Sequence, residues 1–318
     1  MNFKAILLFL SAVIMETALS AAPLNAQQST GAAGVPITMT VTANVPADKK
    51  VPQINQDDVV LKLNKQRTKV TGWVPAQGDR AGLELFFLID DAAGTSLGTN
   101  LGDLATFINA QPPTTSVGVG YMRNGTVQIV QNFTADHAAS AKALRLPLSS
   151  AGAYGSPYLS VIDLMNRWPA GNNRREIVMV TDGIDRARRG IPSRAMNINP
   201  DVDSAADVAM RTRTIIHTIY TPGIGRWYRN YWEATNGQLS ISKLSDVTGG
   251  ESYYLGLQNP VSFTPYLDQL QRILENQYLL SFSATPGNKA GWQYVSLNTE
   301  LAGVEFALAN AVWVQAAK

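Results

Sequence analysis

Two aspartates, Asp90 and Asp91, end the apolar run LELFFLI, and a third, Asp182, ends the run EIVMVT. Between them lies Gly155-Ser156-Pro157, with the Ser156 hydroxyl at the expected start of a helix. Carboxylate, hydroxyl and carboxylate are hard oxygen donors, a set that suits Mg2+ or Mn2+ directly or through water. The same residue types also end strands and cap helices for purely local reasons. Other chemistry is short of groups. The chain has no cysteine, which excludes disulfides, thiolate metal ligands, a cysteine nucleophile and a lipid-anchor cysteine. Its two histidines, His137 and His217, are too few for a histidine zinc site and a poor start for a Ser-His-Asp relay.

The elements that must position these residues are legible from periodicity. LELFFLI and EIVMVT are apolar at nearly every position, as strands covered on both faces require. Leu97, Leu101, Leu104 and Ile108 recur at helical spacing, and VGVGYM and TVQIVQNF flank an Asn-Gly hairpin signal. Asp136 is placed to cap HAASAKAL, and Ser156 to cap a helix with Pro157 at its first position. A helix over DVDSAADVAMRT, a strand IIHTIYT, a glycine-closed helix LSISKLSDVTGG, a short strand SYYLG and a Thr264-capped helix TPYLDQLQRILENQ follow. This alternation over residues 80–276 predicts an α/β domain with a doubly wound, mostly parallel sheet. Ligands of such sheets gather outside the carboxyl ends of the strands, where Asp90 and Asp182 are delivered.

On either side the period changes to two. ITMTVTANV, DVVLKLN and QRTKVTGW within 37–75, and YLLSFSA, WQYVSLNT and VEFALANAVWV within 277–318, read as half-buried strands. Neither group alone can bury its apolar face, so the two are expected to pair as an accessory antiparallel β-module.

The 318 residues are 45% hydrophobic and 16% charged, enough for a sizeable core; the net charge of +2 argues neither for nor against nucleic acid, but no stretch reads as a nucleic-acid motif, so no such partner is expected. The N-terminus has Lys4 and then an apolar run, Ala5 to Met15, too short to span a bilayer. It reads as a signal peptide over residues 1–26, ending in Leu24-Asn25-Ala26, with a flexible lead-in over 27–36. The expected destination is secreted or periplasmic, with no membrane span in the mature chain. The segment TPGIGRWYRNYWEATNG brings Trp227, Tyr228, Tyr231 and Trp232 together, either as binding anchors or as cover for the domain's own edge.

The ordered set of Asp90, Gly155-Ser156-Pro157 and VMVTDG with Asp182 resembles the von Willebrand factor type A domain, and the flanking strand segments resemble the acidobacterial-type secreted members of that family. The resemblance covers nearly all of the mature chain. It implies a metal-ion-dependent adhesion site in which Asp90, Ser156 and Asp182 take ligand positions. The family's two serines after the first aspartate fall on Ala92 and Gly94; starting at Asp91 instead puts Ala93 and Thr95 there. The site is therefore degenerate, and a divalent cation is expected only at low affinity, with water, Thr95 or Ser96 in place of the missing hydroxyls. The alternative compensation is an arginine from Arg186, Arg188, Arg189 or Arg194 folding over the carboxylates. The implied function is a non-enzymatic binding module for a protein or matrix partner. A structural envelope component with a vestigial site, or a metal-assisted hydrolase using Asp90 and Asp182, are the alternatives.

Overall fold

The computed structural model describes residues 34–152, 155–187, 200–223 and 230–317. The signal segment, most of the lead-in, Arg188, Arg189, Arg194, Trp227 and Tyr228 lie outside the described residues. The chain opens with β1 (Val35–Asn44), β2 (Val59–Leu63), β3 (Gln66–Thr68) and β4 (Val70–Pro75). The middle region runs β5 (Leu83–Asp90), α1 (Leu101–Asn109), β6 (Thr115–Arg123), β7 (Thr126–Thr134), α2 (His137–Lys142), α3 (Pro157–Asn166), β8 (Arg174–Thr181), α4 (Pro200–Thr212), β9 (Thr214–Tyr220), α5 (Tyr231–Thr248), β10 (Ser252–Tyr253) and α6 (Thr264–Glu275). It closes with β11 (Gln277–Ala284), β12 (Gly291–Thr299), β13 (Glu305–Leu308) and β14 (Ala311–Val314).

The central sheet has the order β10-β9-β8-β5-β6-β7, parallel throughout except for β7, which returns antiparallel to β6. That return is the Asn-Gly hairpin, with Asn124 and Gly125 at φ 55° and 69°, the left-handed pair a two-residue turn needs. Phe87, Val178, Val180 and Ile219 pack against α1 and α6 on one face. Phe86, Leu88, Ile177 and Met179 pack against α3, α4 and α5 on the other. Both faces are covered, which is why these strands are apolar at every position. The chain leaves β5 for α1 on the first face and β8 for α4 on the second. The crevice between β5 and β8 is thus the switch point of a doubly wound sheet.

The terminal strands pair as expected, as a sandwich of two sheets: β13-β1-β11-β4 and β14-β12-β2-β3. Their facing sides form a single core that includes Val41, Leu61, Leu280 and Phe282. QRTKVTGW is divided between β3 and β4, and VEFALANAVWV between β13 and β14, each pair feeding opposite sheets. Two arginines join this sandwich to the α/β region. Arg211 of α4 places its Cζ 3.5 Å from the Trp313 ring centroid and 5.0 Å from that of Trp292. Arg174 of β8 donates to the Gln277 side chain, to the Leu274 carbonyl at 3.4 Å and to the Ala81 carbonyl at 2.9 Å.

Two helix starts differ from expectation. α5 begins at Tyr231 rather than in LSISKLSDVTGG, with Asn230 capping the Trp232 N–H at 3.1 Å. Gly237 lies inside this helix, and a Cβ there would collide with the Asp182 carbonyl. In α6, Thr264 is the first helical residue and not the cap. Ser262 Oγ accepts from its N–H at 3.0 Å, and Asp103 accepts from Phe263 N–H at 2.8 Å.

β11 sits between β1 and β4 and buries Leu280 and Phe282 almost completely. Each such side chain contributes about 2–3 kcal/mol of burial, a large part of a domain's total of roughly 5–15 kcal/mol. Deleting Tyr278 to Lys318 is therefore expected to abolish amide hydrogen-exchange protection in β1, β2 and β4. Unchanged protection there would contradict the joint core.

Candidate functional site

Asp90 is the last residue of β5, and Asp182 follows β8 directly, so adjacent strands deliver both carboxylates to the switch point. Asp90, Asp91 and Asp182 are 4%, 0% and 1% exposed. Burying three carboxylates without partners would cost several kcal/mol each, so each must be answered by a donor or by a proton.

Asp182 is answered by Arg186. Nη1 donates to Oδ1 at 3.2 Å, Nη2 to Oδ2 in a shorter contact, and Ile184 N–H also donates to Oδ1 at 2.9 Å. This is the two-pronged arginine–carboxylate geometry. Burial works against the charge on Arg186, but Asp182 and Asp90 outweigh it and hold its pKa above the ordinary arginine value. The loop is fixed from below. Arg186 N–H donates to the Gly155 carbonyl at 2.7 Å, and Tyr158 Oη donates to the Gly183 carbonyl at 2.7 Å. Gly183 has φ 70°, and a Cβ on it would meet the Gly237 carbonyl, so this close approach to α5 requires glycine on both sides.

Asp91 is answered by Arg145, which donates to Oδ1 at 2.8 Å and to Oδ2 at 3.1 Å. The guanidinium lies 3.7 Å above the Tyr121 ring, and the Tyr121 hydroxyl donates to the Arg145 carbonyl. Leu148 and Ser150 N–H donate to the side chain and carbonyl of Asp91, so the segment 145–150 is strapped across the strand ends. Arg145 gives no signal in the sequence, being 54 positions from its partner. Arg186, four residues after Asp182, falls within the basic loop that the sequence marks.

Asp90 has the Thr181 hydroxyl donating at 2.7 Å and Ala92 N–H at 2.8 Å. No guanidinium hydrogen-bonds it in the described residues, and its pKa is pushed up to about 6, by burial first, with Arg186 opposing and Asp182 adding to the rise. Asp185, beside Ser156 and Asp201, is likewise raised to about 6, again by burial first.

The donors that the sequence resemblance implies for a divalent ion are already engaged or turned away. Both oxygens of Asp182 face a guanidinium, and both oxygens of Asp90 accept from protein donors. Ser156 Oγ accepts from Leu159 N–H at 3.4 Å as the cap of α3. Ala92 and Ala93 are buried without side-chain oxygen, while Thr95 and Ser96 are exposed on a 3-10 turn. Among the described residues no group of three or more His, Asp or Glu is arranged to hold a metal. The set as arranged does not fit a divalent cation. Gly94-Thr95-Ser96-Leu97-Gly98 has the spelling of a nucleophile-serine turn, but no histidine serves Ser96. His217 is fully buried against Glu176 at 2.9 Å, and His137 bonds the Thr115 carbonyl at the opposite end of the strands.

A shallow cleft remains between β5, β6 and α3, lined by Asp90, Met122, Arg123, Ser156, Ser160 and Arg186. No protein-family model matches the chain, and no curated protein matches it. The chain is similar to solved structures of the von Willebrand factor type A fold. A von Willebrand factor type A protein from Catenulispora acidiphila is 10% identical over 92% of this chain and 76% of that one, with a TM-score of 0.42. An aerotolerance-related membrane protein from Bacteroides fragilis is 12% identical over 61% of this chain and 98% of that one, at 0.42. BatB from Bacteroides thetaiotaomicron is 12% identical over 60% and 97%, at 0.40. The chain's own architecture is a mostly parallel α/β sheet with two added antiparallel sheets.

The raised pKa of Asp90 fixes a sign. A carboxyl whose folded pKa lies above its unfolded value of 3.8 supports the fold below that value, and loses this support as pH rises through about 6. Asp90→Asn mimics the protonated form. Its stability relative to wild type is expected to improve between pH 4 and pH 7, measured by urea unfolding; a constant difference across that range would contradict the assignment.

Proposed function

We propose that the chain is an extracytoplasmic, non-enzymatic module that binds a protein partner through the carboxyl-end face of its central sheet. The observation that carries this reading is the distribution of exposed apolar side chains. Eleven large ones are exposed among the described residues, and eight belong to connections at this one end. Leu146 and Leu148 lie on the segment strapped to Asp91, and Leu159 in the first turn of α3. Tyr231 and Trp232 open α5, and Tyr254, Leu255 and Val261 lie between β10 and α6. Large exposed apolar groups collected on one face mark an interaction surface, whereas scattered ones need no account. Aromatic residues beside arginine are the usual anchors of protein interfaces. The engaged histidines and the arginine-bound carboxylates favour recognition over hydrolysis.

The extracytoplasmic part of the reading rests on Lys4, the apolar run to Met15 and the absence of cysteine. No helix of the described residues is long and apolar enough to cross a membrane. Mass spectrometry of the protein from its native host is expected to find a chain that begins after Ala26; an intact Met1 would overturn export.

The binding face is tested by capture from envelope extract with the immobilised mature chain. Trp232→Ala and Leu148→Asp are expected to lower capture of the same species at least about tenfold. Tyr294→Ala, an exposed aromatic on the sandwich, is expected to leave it unchanged. Equal loss, or no loss, from all three variants would remove this face from consideration.

A further inference from the structure

We propose that Arg186 is a built-in cation: its guanidinium fills the place and supplies the charge that a divalent ion would have at the switch point, so this site is complete without metal. The inference concerns the interior of the site and not the partner, and it would stand if the face bound nothing.

Four observations converge on it. The guanidinium meets both oxygens of Asp182, so its positive charge already stands where a second cation would have to approach. It lines the same cleft as Asp90, whose charge helps hold it protonated. Its side chain is only 9% exposed, so the fork is a packed part of the interior. The opposite wall is shaped to it. Ala93 bridges Gly223, and a Cβ on Gly223 would collide with both Asp182 Oδ2 and Arg186 Nη2. A glycine at 223 is therefore what lets the backbone close over the pair.

The departures after β5 agree with this reading. Ala92 and Gly94 stand where hydroxyl ligands would be required by an ion, and a guanidinium requires neither. A fixed guanidinium also fits the geometry of a carboxylate better than a small hydrated ion lacking half its ligands. Where a metal site is loaded and unloaded by ion concentration, a tethered arginine is always present. Any recognition by this face would then be independent of divalent cations.

The test is ion binding by the mature chain, read by thermal unfolding and by Mn2+ titration calorimetry. Wild type is expected to show no heat of Mn2+ binding, and the same Tm in chelator and in millimolar Mn2+ or Mg2+. Arg186→Ala leaves Asp90 and Asp182 without their cation. Its Tm is expected to fall in chelator and to rise by about 3 °C or more with Mn2+, by ordinary ligand linkage. The rise should vanish in the Arg186→Ala/Asp182→Ala double variant. If Arg186→Ala does not fold, Arg186→Gln, which keeps length and an amide donor without the charge, carries the same comparison. Wild-type Mn2+ binding that is lost in Asp182→Asn would overturn the proposal, since an ion would then displace the arginine. Failure of the uncharged variants to gain a response to Mn2+ would also overturn it. Neither outcome touches the apolar face, which is tested by partner capture.

Discussion

Three aspartate side chains stand nearly without solvent at the crevice between β5 and β8, and the local structure is organised around neutralising them. Two receive a guanidinium each, by two-pronged hydrogen bonds, and the third has its pKa raised to about 6. Removing one member of a buried ion pair such as Asp182–Arg186 typically costs about 3–5 kcal/mol, comparable to a large part of a domain's stability. Arg186 is thus a structural requirement of this end of the sheet before it is anything else, while Arg145, a third exposed, answers Asp91 from the solvent side.

The backbone around the carboxylates bears this out. The approach of α5 to Asp182 and Gly183 is so close that glycine is required at 183 and 237, and the Asp182–Arg186 pair leaves no room for a Cβ at 223. The strap from Arg145 to Ser150 is held by both the side chain and the carbonyl of Asp91, and it carries Leu146 and Leu148 to the surface. The buried electrostatics and the exposed apolar face are therefore mechanically connected. The groups that neutralise the interior also position the residues that a partner would touch.

The accessory sandwich is attached at the side and at the opposite end of the strands. Arg211 lies against Trp313 and Trp292, and Arg174 joins β8 to the start of β11 through Gln277. Neither contact reaches the switch point. The sandwich is joined to the α/β region away from the carboxyl-end face proposed for recognition.

Much of the fold was determined by local pattern. Continuous apolar runs required strands covered on both faces, period-two segments required half-buried ones, and Asn124-Gly125, Asp136, Ser156-Pro157 and Gly249 fixed turns and caps through their own backbone preferences. The delivery of Asp90 and Asp182 to one crevice followed from that pattern and from the rules of doubly wound sheets. Tertiary structure decided what could not be local. The early start of α5 is set by the Asn230 cap, and Gly237 within the helix lets it approach the Asp182 carbonyl. The division of QRTKVTGW and VEFALANAVWV between two sheets depends on which neighbours complete each core. The pairing of Asp91 with Arg145 spans 54 residues, and no spacing rule reaches that far. Arg186 was within the sequence's reach as one of several arginines, but only packing against Gly223 and Gly155 singles it out, because a buried charge takes its partner from whatever the fold brings near.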